Sequence, residues 1–384
     1  MQAFARGFVE QLRRLFATPR HLVMLALLAA AAVCSVEVYR DEVVRDLPVA
    51  VVDLDDSKPS RAIRTFLHAT REVELANDGA PVSLEEAREA LDAGRLAAVV
   101  LIPDGLAANL KRGRTAKVLV AIDASNLLVA RNANKALARA IGTVSAGVEL
   151  TLVTKLGERR GRAMARVVPI VASEEHAFNP WTNYGVYVVP PLVLFLLHVY
   201  VTIAGASLWL PAGPAPGASR AGAAAAVGVV AMALAAIAIH GLLAAHGIAP
   251  RSGLGLVWTS VALWVVGDLL WAAALAAVVP SPVLAFQVTV VLAVLSLMLA
   301  GVTWPTDAFP PALAALARTI PFTPFAQAFQ TFLHHPASWA AVADLLRAQA
   351  IQIAAFALLA LAGAALRRVG PRVRARVAAA RGAA

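Results

Sequence analysis

The chain has a single cysteine, Cys34, so no intrachain disulfide can form, and any folded part outside a membrane must rest on its own apolar core. Charge is scarce too: 15% of the 384 residues are charged against 59% hydrophobic, with a mean hydropathy of +0.70. That balance excludes an ordinary soluble globular protein and points to an integral membrane protein. Acid is missing from residues 367–384, where Arg367, Arg368, Arg372, Arg374, Arg376 and Arg381 give +6. Residues 1–20 carry +3, from Arg6, Arg13, Arg14 and Arg20 against Glu10. Much of the formal charge of +10 is therefore terminal. A nucleic-acid binder would carry a basic face on a folded domain, whereas short arginine-rich ends beside apolar runs obey the positive-inside rule, so no nucleic acid partner is expected. The motifs GxxxxGK[ST], HExxH, CxxC and GxSxG are absent as well. The chain thus has no P-loop for ATP, and no metal or cofactor is expected to bind it directly.

What is present divides at Ala177–Tyr200, where a polar region gives way to apolar runs. Residues 1–20 place Phe4, Phe8, Leu12, Leu15 and Phe16 at helical spacing among arginines, which predicts an amphipathic helix at the cytoplasmic interface. Residues 21–38 form span one, read as an uncleaved anchor because the basic region is long and Val33 before Cys34 is a poor cleavage context. Residues 39–183 alternate strand and helix patterns. Pro48–Asp53, Glu72–Ala76, Leu96–Ile102 and Lys117–Asp123 read as strands. Ser60–Thr70, Ser83–Asp92, Pro103–Lys111 and a long run capped by Asn126 read as helices. The expectation is an extracytoplasmic α/β domain inserted between spans one and two. Residues 184–366 supply five more spans, 184–210, 221–246, 255–279, 283–302 and 342–366, and residues 367–384 a basic cytoplasmic tail. The fold class is then an α-helical membrane protein of six transmembrane helices with both termini cytoplasmic. Residues 304–335 are apolar but broken by Pro305, Pro310, Pro311, Pro321 and Pro324, which predicts short re-entrant helices on the outer side.

A carboxylate at the bilayer centre costs roughly 2.5–3.5 kcal/mol on insertion scales, so Asp268 in span four needs a partner. His198 lies at matching depth in span two, and Trp264, Asp268 and Trp271 share a helix face, which predicts a buried His198–Asp268 contact. Gln349 and Gln352 share a face of span six and read as interhelical hydrogen bonds rather than substrate ligands. Asn179 and Pro180 close the polar domain, and Pro190 and Pro191 loosen the top of span two. This joint could carry motion from the outer domain to the bundle. Asp53, Asp55 and Asp56 after a strand resemble the DxD of metal-dependent phosphatases, but no later paired acids follow. A polar turn is the alternative.

Several stretches, taken in order, resemble type-2 ABC exporter permeases of the bacterial drug-efflux kind with a large extracytoplasmic domain after the first span. They are PVAVVDLDDSKPSRAI from Pro48, LDAGRLAAVVLIPDGLAANLKRGRTAKVLVAIDASN from Leu91, FNPWTNYGVYVVPP from Phe178 and GVTWPTDAFPPALAALARTIPFTPFAQAFQTFL from Gly301. The resemblance implies a dimer of this permease, or a pair with a paralogue, in the bacterial inner membrane. It implies a separate cytoplasmic ABC ATPase that uses ATP and Mg, often a periplasmic adaptor, and export of a drug, lipid-like or other amphipathic substrate. One departure stands out. The family usually carries a charged coupling segment between spans two and three, where this chain has LPAGPAPGASR, with Arg220 its sole charge. Either coupling is made by the amino-terminal helix (Phe4 to Phe16) and the carboxyl tail, or this member couples weakly or relies on a paired permease. Two other readings remain: a non-transporting membrane protein whose outer domain binds a ligand or partner, and an outward-facing phosphatase using Asp53 and Asp55.

Overall fold

The computed structural model describes residues 1–39, 45–76, 82–112, 114–155, 184–247 and 250–382. They fall into two compact units, one of Met1–Glu42 with His176–Ala384 and one of Val43–Glu175. The chain opens with α1 (Gln2–Ala17) and α2 (Pro19–Val38). Extended backbone at Thr18 separates them, and Pro19 starts α2 because a first helical residue needs no N–H partner. α1 turns Gly7, Gln11 and Leu15 inward.

The unit from Val43 is α/β. It contains β1 (Leu47–Asp53), α3 (Lys58–His68), β2 (Val73–Leu75), α4 (Leu84–Asp92), β3 (Ala98–Ile102), α5 (Leu106–Lys111), β4 (Leu119–Ile122) and α6 (Leu127–Lys155). The strand order is β2-β1-β3-β4, with β1 parallel to both neighbours and β4 antiparallel to β3. Val49 pairs with Ala98 and Asp53 with Ile102, so alternate side chains of the two central strands leave on the same faces. One face packs Val49, Ala98, Val100 and Ile102 against Ile63 and Leu67 of α3 and Leu137 and Val144 of α6. The other packs Ala50, Val52 and Val99 against Ala87 of α4. Ser83 and Glu86 form the expected capping box, and Asn126 Oδ1 accepts from Leu128 and Val129 at the head of α6. α3 begins at Lys58 rather than Ser60, because Ser57 caps it and Ser60 reciprocates.

The remaining elements are α7 (Tyr184–Ser207), α8 (Ala218–His246), α9 (Leu254–Val278), α10 (Pro282–Leu299), a 3-10 turn at Thr306–Ala308, α11 (Pro311–Ala317), α12 (Phe322–His334) and α13 (Ala343–Gly382). Among the described residues, six helices are long and apolar enough to cross a bilayer: Pro19–Val38, Gly185–Ser207, Ala218–Leu242, Leu254–Val278, Pro282–Leu299 and Ala343–Leu366. The helix of the last span continues through the residues expected as a tail, to Gly382. Trp264, Phe322, Phe325, Phe329 and Phe332 are fully buried at the centre of this unit. Trp264 and Phe325 stack at 4.2 Å and 9°, a pairing worth ~0.5–1.5 kcal/mol beyond its area. Small residues let backbones meet: a Cβ on Gly363 of α13 would fall 2.5 Å from that of Ala277 on α9.

Candidate functional site

α7 presents His198 and α9 presents Asp268, both without exposed surface. His198 Nδ1 lies 2.9 Å from Asp268 Oδ2 and 3.0 Å from Oδ1. Two lone-pair acceptors would repel at that separation, so the pair shares at least one proton. The α9 side of the site is set by helical spacing, with Trp264, Asp268 and Trp271 all buried on one face. On the α7 side, the Thr202 hydroxyl donates to the His198 carbonyl at 2.7 Å. The imidazole lies against Phe322 of α12, ring centroids 5.0 Å apart at 27°, and against Trp271 at 6.3 Å and 26°. The Trp264 indole N–H is buried with no hydrogen-bond partner. His198 Nε2 is buried with no hydrogen-bond partner. An unpaired N–H there would cost more than a bare acceptor, which favours the tautomer in which Nδ1–H donates and Nε2 is unprotonated. The arrangement can lock α7, α9 and α12 together and can exchange a proton.

The prolines of α7 create a second constellation. Pro191 has no N–H, so the carbonyl of Tyr187, four residues earlier, loses its helical donor. Gln330 of α12 supplies one, its Nε2 donating to Tyr187 O at 2.9 Å. The Tyr187 hydroxyl in turn donates to Val302 O at 2.6 Å, and His334 Nε2 meets Gln330 Oε1 at 3.0 Å. The top of α7 is thereby tied to α12 and to the segment after α10. Asn179 and Pro180 lie outside the described residues.

Residues 304–335 fold as the 3-10 turn followed by α11 and α12, and each proline marks an element's start: Pro305 caps the turn, Pro310 caps α11, Pro321 caps α12, and Pro324 lies in the first turn of α12. Two cavities flank α12. One of ≈ 270 Å³ is lined by Tyr187, Gln327, Gln330 and His334 among others; one of ≈ 430 Å³ is lined by Asp307, Arg318, Gln327 and Gln352 among others. Gln327 lines both and donates to Thr306 Oγ1 at 3.0 Å. Gln352 donates to the carbonyls of Arg318 and Ile320 at 2.6 and 3.2 Å. Gln349 exchanges hydrogen bonds with Ser260 of α9. Both glutamines therefore tie α13 to its neighbours.

Of the aspartates at the end of β1, Asp53 and Asp55 each accept from backbone, Asp56 pairs with Arg61, and Asp53 Oδ2 is buried with no hydrogen-bond partner. Asp53 Oδ1 accepts from the amides of Asp55 and Asp56, and Asp55 Oδ2 accepts from Ala107 N in α5. The Ser57 hydroxyl first, then the amides of Ala107, Gly105 and Leu106, hold the Asp55 carboxyl below its usual value. This is the chemistry of a turn that fastens α5 to β1.

A bundle of membrane-length helices with a buried His–Asp pair defines a multi-pass membrane protein. Residues 22–210, just under half the chain and reaching from α2 past α7, match the family model described as ABC-2 family transporter protein. The match supports an ABC-2 type permease, a transport subunit of the membrane that in general works with an ABC ATPase. No curated protein and no solved structure matches the chain.

Proposed function

We propose that the chain is the membrane subunit of an ATP-driven exporter in a bacterial inner membrane, with both termini cytoplasmic and the α/β unit outside. The substrate is a drug, lipid-like or other amphipathic molecule, and the functional unit is a dimer served by an ABC ATPase that binds ATP and Mg and often by a periplasmic adaptor. The observation that carries this reading is the family match across α2, the α/β unit and α7, the segment in which a folded domain interrupts a run of spans. Arginine-rich ends on an even number of spans support the orientation.

The ATPase docks, in this reading, on α1 and the short turn between α7 and α8. α1 lies against the head of α8 at backbone distance: a Cβ on Gly7 would fall 2.0 Å from Ser219 O, and one on Gly222 would fall 2.1 Å from Phe4 O. Arg220, in the first turn of α8, has its guanidinium carbon 4.5 Å from the Trp209 ring centroid and donates to Pro214 O, so the preceding turn is braced against displacement. The His198–Asp268 pair positions α7 against α9 and α12. Co-expression with an ABC ATPase, purification and ATP turnover in the presence of candidate amphipaths test the proposal. Stoichiometric association with substrate-altered turnover is expected; absence of any ATPase association across cognate candidates would refute it.

A further inference from the structure

The α/β unit holds a groove that permease function does not require. Its volume is ≈ 520 Å³, within the roughly 300–1,000 Å³ of small-molecule sites. The lining is mostly apolar, with Ile63 of α3, Leu106 and Leu110 of α5, Val118 before β4, and Ile141 and Val148 of α6 as its main walls. The groove has a structural origin. The 29 residues of α6 make a rod of about 43 Å, far longer than strands of three to seven residues can cover. Beyond Leu137 it is flanked by the six-residue α5 and by the segment before β4, where Ala116 is too small to fill the gap.

The rim has a sign. Lys111, Arg112, Arg114 and Lys117 stand exposed on the wall leading into β4, while Glu149 is the one acid that lines the groove. An apolar trough beside a cluster of cations suits a molecule with a hydrocarbon body and a negative head. We propose that this groove binds a single-chain anionic amphipath of the fatty-acid type, with the chain along Ile63, Leu110, Val118 and Val148 and the carboxylate at Arg114 and Lys117. The proposal stands apart from the transport reading, since it needs neither an ATPase nor movement of any solute.

The test uses the full chain in lipid nanodiscs with a diazirine-bearing palmitate analogue, photolysis and peptide mapping. Labelling is expected on peptides covering residues 106–118 and 141–149. Val148→Trp, which fills the trough, is expected to remove it. Arg114→Glu, an exposed change with little consequence for folding, should lower it about five-fold, the scale of one exposed charge contact. The matching fatty alcohol should label the same peptides several-fold less. Label confined to the membrane spans, label unchanged by Val148→Trp, or equal labelling by acid and alcohol would each overturn the proposal.

Discussion

At the scale of single residues, the buried pair is the most exacting feature. Replacing His198 by Ala leaves the Asp268 carboxylate alone among Trp264, Trp271 and Phe322, and breaking a buried pair in this way costs about 3–5 kcal/mol. Asp268→Asn keeps an acceptor for Nδ1, so thermal unfolding of the purified protein should rank His198→Ala well below Asp268→Asn. An apolar exchange, His198→Leu with Asp268→Val, should recover most of that loss, because paired burial itself is not strongly stabilising. Transport restored by that double change would reduce the pair to packing, and transport still absent would give it a working role. The Asp55 carboxyl permits a second test. Its folded value is held below the ordinary 3.8, first by Ser57 and then by the α5 amides. The stability it contributes is therefore complete above that ordinary value and fades as pH falls through the depressed one. Amide-exchange protection factors at residues 105–109, taken against the intrinsic rate at each pH, should fall from about pH 4 downward in the wild type. Asp55→Asn should show faster exchange near neutrality and less dependence on acid.

At the scale of elements, the decisive contacts at the top of α7 follow from a missing N–H. Pro191 strips the Tyr187 carbonyl of its helical donor and Gln330 supplies another, so Gln330→Ala should cost about 0.5–1.5 kcal/mol, the net worth of one such hydrogen bond. Faster exchange in α12 and a lowered melting temperature check this, with Gln330→Glu unable to rescue because a carboxylate cannot donate. The proline in α7 was legible in the sequence, but its partner lies 143 residues away, and no local pattern names it. Short-range signals were readable throughout: the Ser83–Glu86 box, the Asn126 cap and the apolar lengths of the spans each depend on neighbours a few residues apart. The Ser57–Ser60 box is equally local, and it starts α3 two residues before the expected Ser60. The His198–Asp268 contact was also within reach, since a lone acid and a lone imidazole at equal depth have few alternatives in hydrocarbon. The cage around it was not, because Phe322 arrives from a short proline-bounded helix whose direction depends on the whole bundle.

At the scale of the molecule, the proposed function raises the question of how a chain lacking a charged segment between α7 and α8 would receive work from an ATPase. Gly7 and Gly222 bring α1 and α8 within backbone reach, and Leu15 joins Ala204, Leu208, Ala223 and Val227 in one apolar cluster. α1 is thus a rigid continuation of the bundle's α7–α8 end, able to pass displacement to both helices without a coupling loop. Gly7→Leu must push α1 away, since its first side-chain carbon alone would sit 2.0 Å from the Ser219 carbonyl oxygen. The expected result is an α1 whose engineered cysteine at Leu12 becomes reactive, an ATPase that no longer copurifies, and a thermal transition of the remaining spans lowered only modestly. Gly142→Ala is the control, because nothing lies within 4 Å of the added carbon. It should leave association intact and firm α6 by about 0.5–1 kcal/mol. If the ATPase still binds and turns over normally with α1 displaced, the docking surface lies elsewhere, and the long α13 that runs to Gly382 becomes the element to truncate next.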